Sequence, residues 1–326
     1  MAYSRKIQKL GESLYISLPM PWVKQMQLQK GDTLELIEQP NSLVLYRHTA
    51  EEPEHTITIP ITSIETINSI KRKLTGAYLD GYDIIKLSFD NHIPLQQQNS
   101  LRDIIDEFFG LEIITISATE IITQCLLSKT LPILSIIQRI HGMVTVSLNE
   151  STTAFIRHNI TNHENIIRRN REVQRLTLVV QRLLRMSILF PGKNSTMILI
   201  DNVDYQRVLD KINEVFKAVT QITKYTSTLS QPLSREVRTS LQRKSEEIID
   251  TYDKATKAFT SKDITIANDV LDYQMELPIP KINQLSNQTQ PLTNVIAIVR
   301  FQDTLQNILT FSQDIAELAI DKSEEP

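Results

Sequence analysis

Apolar residues recur in three different rhythms along the chain. From Lys6 to Tyr46 they form short runs, Leu14-Tyr15-Ile16-Ser17-Leu18, Leu34-Glu35-Leu36-Ile37 and Leu43-Val44-Leu45-Tyr46, with one helical segment from Pro19 to Met26 between the first two. The alternation from Thr33 to Ile37 is that of a half-buried strand. Lys30-Gly31-Asp32 and Gln39-Pro40-Asn41-Ser42 supply the turn residues. A unit this small cannot bury a core by itself, and its unpaired strand edges invite a second chain. The pattern predicts a β-rich head over residues 1–48 that assembles as a homodimer.

A polar break, Glu51-Glu52-Pro53-Glu54, precedes the second rhythm. Thr56-Ile57-Thr58-Ile59 alternates as a strand, and Ser63 to Leu79 has helical spacing. Ile84-Ile85-Lys86-Leu87 reads as a strand, Leu101 to Phe109 as a helix, and Glu112 to Ile116 as a strand. Pro94 and Gln96-Gln97-Gln98-Asn99 read as a loop before the second helix. The predicted order is βαβαβ, a small α/β unit over residues 50–119. From Glu120 onward nearly every segment is helical in period, broken at Phe190-Pro191-Gly192-Lys193, Ser230-Gln231-Pro232, Pro278-Ile279-Pro280 and Gln290-Pro291.

Within that third region Thr152, Ala154, Phe155, Ile160 and Thr161 recur 104 residues later as Thr256, Ala258, Phe259, Ile264 and Thr265. Residues 120–326 are therefore expected to hold two repeated three-helix bundles in tandem. The longest helix of each copy is expected to follow Thr161 or Thr265. The fold class predicted is α+β multidomain: a swapped-hairpin β head, a small α/β middle domain and a mostly helical C-terminal region.

Composition sharpens this picture in a few places. With 41% hydrophobic residues and only 7 glycines, the 326-residue chain has core material for more than one domain. Its single cysteine, Cys125, excludes an internal disulfide and any multi-cysteine metal site, and is expected in the core. The segment MAYSRKIQKL lacks an apolar signal, and no run is long enough to span a bilayer, so the expected location is cytoplasmic with no membrane insertion. Net charge is −3, but Arg5, Lys6, Lys9, Lys24 and Lys30 against Glu12 give residues 1–30 a charge of +4. A basic head on an acidic body is an electrostatic footprint that fits DNA phosphate.

The head carries a resemblance. Arg5-Lys6-Ile7-Gln8-Lys9-Leu10-Gly11, Leu18-Pro19, Trp22-Val23-Lys24 and Leu28-Gln29-Lys30-Gly31-Asp32 resemble the AbrB/SpoVT swapped-hairpin DNA-binding domain. The resemblance implies two chains exchanging hairpins, with Arg5, Lys6, Lys9 and Lys24 contacting DNA. Asn159-Ile160 with Glu164 to Leu176, and Asp314-Ile315-Ala316-Glu317, resemble the PhoU phosphate-signalling proteins over residues 120–320. Tyr78-Leu79-Asp80-Gly81-Tyr82-Asp83 and Phe109-Gly110-Leu111-Glu112-Ile113 resemble the middle region of archaeal PhoU-like phosphate uptake regulators, which join the three parts in this order.

PhoU proteins hold metal through acidic pairs spaced i, i+4, which place two carboxylates on one helix face. At the matching positions this chain has Asn170 and Gln174, then Gln306 and Thr310; Asp210 and Glu214 keep an acidic pair and are the weak metal candidates, with Asp269 and Asp272 a looser one. No cofactor and little bound metal are expected.

Taking 100° per residue, Arg168, Arg171, Arg175, Arg182 and Arg185 share a stripe, with Val173, Leu176, Val180 and Leu183 opposite and facing the core. The stripe is open to several readings: an anion site, a DNA backbone contact, a docking surface for an acidic partner, or a solvated face. Gly192-Lys193-Asn194-Ser195-Thr196 lacks the upstream glycine of a phosphate-binding loop and reads as a turn. His158 and His163 do not share a helix face. The chain is thus expected to be a non-enzymatic transcriptional regulator that binds DNA, pairs with itself and acts in phosphate homeostasis, possible partners including a phosphate transporter or signalling protein. The alternative is an adaptor that docks on such a partner without binding DNA.

Overall fold

The computed structural model describes residues 3–39, 42–47, 54–128, 131–159, 163–189, 199–274 and 291–323. The chain divides into two units, Met1–Glu54 and His55–Pro326.

In the first unit β1 (Gln8–Leu10) and β2 (Ser13–Tyr15) form an antiparallel hairpin, and β3 (Leu34–Gln39) pairs with β4 (Ser42–Arg47) in a second one. Gly11 occupies the first of the two turn positions with φ +64°, a conformation that L side chains resist and that suits the twist of a tight hairpin. Between the hairpins lies α1 (Met20–Gln25), with Pro21 in its first turn, where its missing N–H costs nothing. The predicted strand over Leu14–Leu18 is shorter than expected, because the ladder ends at the pair Gln8 with Tyr15 and Ile16 to Leu18 find no partner strand among the described residues. No residue of this unit whose exposure is described is buried: Ile7, Leu10 and Leu14 are each about two thirds exposed.

In the second unit β5 (Thr56–Ile61), α2 (Ile67–Leu79), β6 (Ile84–Phe89), α3 (Leu95–Ile105), β7 (Leu111–Ile116) and β8 (Glu120–Cys125) form a four-stranded sheet ordered β5-β6-β8-β7, in which β5 and β6 are parallel and the other pairs antiparallel. Alternate residues Ile59, Ile61, Ile85, Leu87 and Ile121 are buried with Ile70, Leu74, Tyr78, Leu101 and Ile105 of α2 and α3. The structure departs from the sequence pattern in three places. The glutamine run is not a loop: Pro94 caps α3, which starts at Leu95, and Gln96 to Asn99 lie in its first turns, Gln96 and Asn99 exposed and Gln97 and Gln98 half-buried. Polar composition there records exposure, and glutamine is a good helix former. The middle domain also does not end at 119. Glu120–Cys125 is its fourth strand, held between β6 and β7, with the Ser117 N–H donating to the Glu120 carbonyl in the connecting turn. Cys125, expected in the core, is half-buried at its margin.

The helical region runs through α4 (Ile133–Arg157), α5 (His163–Leu189), α6 (Leu199–Thr228), α7 (Arg235–Ser261), α8 (Ile264–Leu271) and α9 (Leu292–Ser323). The repeat is visible in three dimensions: α4 and α7 end on left-handed caps, His158 and Lys262, at equivalent positions. The copies are not two separate bundles, however. The long helices α4, α6, α9 and α7 pack in a closed ring around one continuous core, with α5 on α4 and α8 on α7. Phe155 of α4 stacks on Phe301 of α9, with centroids 4.3 Å apart, and its repeat equivalent Phe259 of α7 meets the Tyr205 ring of α6 edge-on. Each copy thus completes its core with an aromatic from the other. The longest helices are α6 and α9, whereas Thr265 leads into the eight-residue α8. Ile160 and Thr161, the end of the first copy's motif, lie outside the described residues, as do Phe190–Lys193, the Gly192–Thr196 turn, and Pro278–Pro280.

His141 of α4 joins the two copies by a contact to Asp253 of α7 at 2.8 Å and packs on the Tyr252 ring. Burial holds its pKa below the ordinary histidine value, outweighing the opposing pull of Asp253. The unfolded chain therefore binds more protons than the folded one around that value, and stability falls as pH drops through it. Urea denaturation between about pH 7.5 and pH 5.5 is expected to show this loss, and His141→Gln to lessen it.

Candidate functional site

Arg5, Lys6, Lys9 and Lys24 are all exposed. Arg5 lies over the Tyr3 ring at 5.8 Å and donates to the Ser4 carbonyl; Lys9 sits opposite Leu14 in the hairpin, and Lys24 occupies the last turn of α1. Lys6, Lys9 and Lys24 form no ion pair among the described residues. Their charges face solvent, available to an external polyanion.

The predicted arginine stripe on α5 is divided by the fold. Val173, Leu176, Val180 and Leu183 are buried, as the helical period required. Arg182 is not a surface group: it is 2% exposed, donates to the Tyr78 and Tyr82 carbonyls, lies 3.8 Å from Asp83, and stacks over the Tyr78 ring. Arg185, still exposed, pairs with Asp80. The end of the stripe is thus used to dock the sheet domain, whose α2–β6 turn covers it. Burial pushes the Tyr78 phenol up, and its hydroxyl donates to the Phe109 carbonyl. Replacing Arg182 with Met would leave the Tyr78 and Tyr82 carbonyls and Asp83 without their buried partner. Chemical denaturation is expected to show a loss of about 2–4 kcal/mol, and a loss under about 0.5 kcal/mol, the size of an ordinary surface change, would refute the docking role.

Arg168 and Arg171 remain exposed. With Arg175, Arg139 of α4, Glu172, Leu176 and Phe109 they line a cleft of about 290 Å³. Arg139 pairs with Glu172 at 2.5 Å, and the Arg175 guanidinium lies over the Phe109 ring at 5.6 Å. Phe109 is presented there by Gly110, which turns the chain at φ +76° with Leu127 so close that a Cβ would crowd it. Arg171 and Arg175 also border a groove of about 1170 Å³ between α2–α3 and α5–α6, lined as well by Lys71, Glu107 and Gln174.

Asp210 and Glu214 face the same groove. Asp210 accepts from Gln206 at 2.9 Å and Glu214 from Lys217 at 2.5 Å. Among the described residues no group of three His, Cys, Asp or Glu converges as a metal would need. Thr310 donates to the Gln306 carbonyl on its own helix, and the buried Asn170 side-chain oxygen has no hydrogen-bond partner among the described residues. Neither Arg139 nor Phe109 was read as a site residue from the sequence, because they come from different elements, joined to α5 only by packing. No helix among the described residues is long and apolar enough to cross a membrane.

Residues 7–53 match the family model described as antidote-toxin recognition MazE, bacterial antitoxin. The match supports an N-terminal domain of the AbrB/SpoVT-like kind. Neither a curated protein nor a solved structure matches the chain, and no match supports a PhoU relationship for the helical region.

Proposed function

We propose that the chain is a non-enzymatic, cytoplasmic transcriptional regulator that binds DNA as a homodimer through its N-terminal domain and is governed by its helical region. The observation that carries this reading is the head itself. Among the described residues none of its apolar side chains is buried and its lysines form no ion pair, and residues 7–53 match an AbrB/SpoVT-like family model. A second copy exchanging hairpins would cover the apolar side chains, and a two-fold axis would double the basic surface. Light scattering of the full chain at about 10 μM is expected to give the dimer mass, since the unpaired edges need a partner. A monomer there would falsify the assembly, and failure of a labelled duplex to change anisotropy on titration would remove DNA.

The body extends the proposal to phosphate homeostasis on the PhoU-like pattern, with a phosphate transporter or signalling protein as partner. Two interlocked copies of a three-helix unit support this. Genome-wide occupancy compared at high and low phosphate tests it: occupancy that ignores phosphate removes this half and leaves the DNA half standing. The matched family's description favours a second reading, in which the exposed apolar side chains of the head grip a protein. A folded dimer that leaves duplex anisotropy unchanged selects that adaptor.

A further inference from the structure

We propose that the cleft between α4, α5 and Phe109 is a binding site for a small phosphate-bearing ligand. Side chains from two helices converge on it. Arg168, Arg171 and Arg175 are spaced i, i+3, i+7 along α5 and so share one face, while Arg139 closes the cleft from α4. Glu172 is the one carboxylate of the lining, and it is engaged by Arg139. Four guanidiniums against one carboxylate leave a positive excess along the cleft lining, which favours an anion.

The arginines are also placed to be used. Among the described residues, Arg168 and Arg171 make no hydrogen bond or ion pair, and the buried Arg175 Nε has no hydrogen-bond partner. A buried donor left unpaired costs free energy that an acceptor oxygen would recover. Guanidinium forks match the oxygen geometry of a phosphoryl group. The volume of about 290 Å³ suits a phosphate or a small phosphomonoester and is too small for a duplex. The exposed Phe109 ring, lying against Arg175, offers an apolar wall to the organic part of an ester.

This site is independent of DNA binding by the head, so it can fail or succeed alone. The test is calorimetric titration of the full chain, at low and constant ionic strength, with inorganic phosphate and with phenyl phosphate. One saturable site per chain is expected. Arg168→Gln with Arg171→Gln is expected to weaken it by about tenfold or more, given the strength of charge-assisted hydrogen bonds. Both side chains are exposed, so an unchanged thermal midpoint will show that the variant folds. Arg235→Gln with Arg238→Gln, exposed on α7 away from the cleft lining, is the control expected to bind normally. Tighter binding of phenyl phosphate assigns the site to an organic ester, and equal binding to the free anion. Absence of saturable binding of either probe, an unchanged affinity in the double variant, or an equal loss in the α7 control overturns the proposal. So does loss of duplex binding by the double variant with no phosphate binding in the parent chain, which would make the cleft a nucleic-acid surface.

Discussion

Replacing Arg5 and Lys6 together with alanine is expected to weaken binding to duplex DNA of every sequence and to flatten its dependence on salt. Both side chains are exposed, and in a dimer each is lost twice. If each contacts a phosphate, its removal stops the release of the associated counterions, and the log–log slope against salt loses about 0.9 per contact on duplex DNA. A symmetric head should therefore lose about 3 to 4 units of slope. Between about 50 and 200 mM salt the parent chain would then lose affinity about a hundredfold more steeply than the variant. Lys30, in the turn before Gly31, should matter less. Anisotropy titrations across a salt series decide it: unchanged affinity and unchanged slope would show that the basic head is not the DNA surface, and would shift attention to Arg168 and Arg171.

The second large effect concerns the core that the two helical copies share. Phe155→Ala removes a fully buried ring stacked within 5° of parallel on Phe301, itself fully buried. Truncating a buried phenylalanine costs about 3–5 kcal/mol, because the cavity adds to the lost burial, and the aromatic pair adds to that. The informative feature is where the loss is felt. Phe155 belongs to the first copy and Phe301 to the last helix of the second, so one cooperative transition of the whole helical body should shift to lower denaturant. Two independent bundles would instead give a variant with two transitions, the second at its original position. Circular dichroism across a denaturant series reads the difference, and the two-transition outcome would refute the single core.

Elements governed by local periodicity were legible from the amino-acid order. Strands β3 to β7, the helical character of the C-terminal region, and the core face of α5 at Val173, Leu176, Val180 and Leu183 follow from where apolar side chains recur, since burial selects them at that spacing. The repeat was legible for the same reason, through Thr152 to Phe155 and Thr256 to Phe259, and so was the basic head, because charge along a chain can be summed without coordinates.

What required the tertiary structure was each choice made between segments distant in sequence. Glu120–Cys125 has an apolar content that suits strand or helix, and only the open edges of β6 and β7 made it a strand. The arginine stripe looked uniform because helical period reports which residues share a face, not what will cover that face. The sheet domain covered one end, turning Arg182 into a buried dock and leaving Arg168 and Arg171 to solvent. The two copies likewise share one core because their long helices each needed a second apolar neighbour. In α4 and α7 that neighbour came from the other copy, with Phe155 on Phe301 and Phe259 on Tyr205.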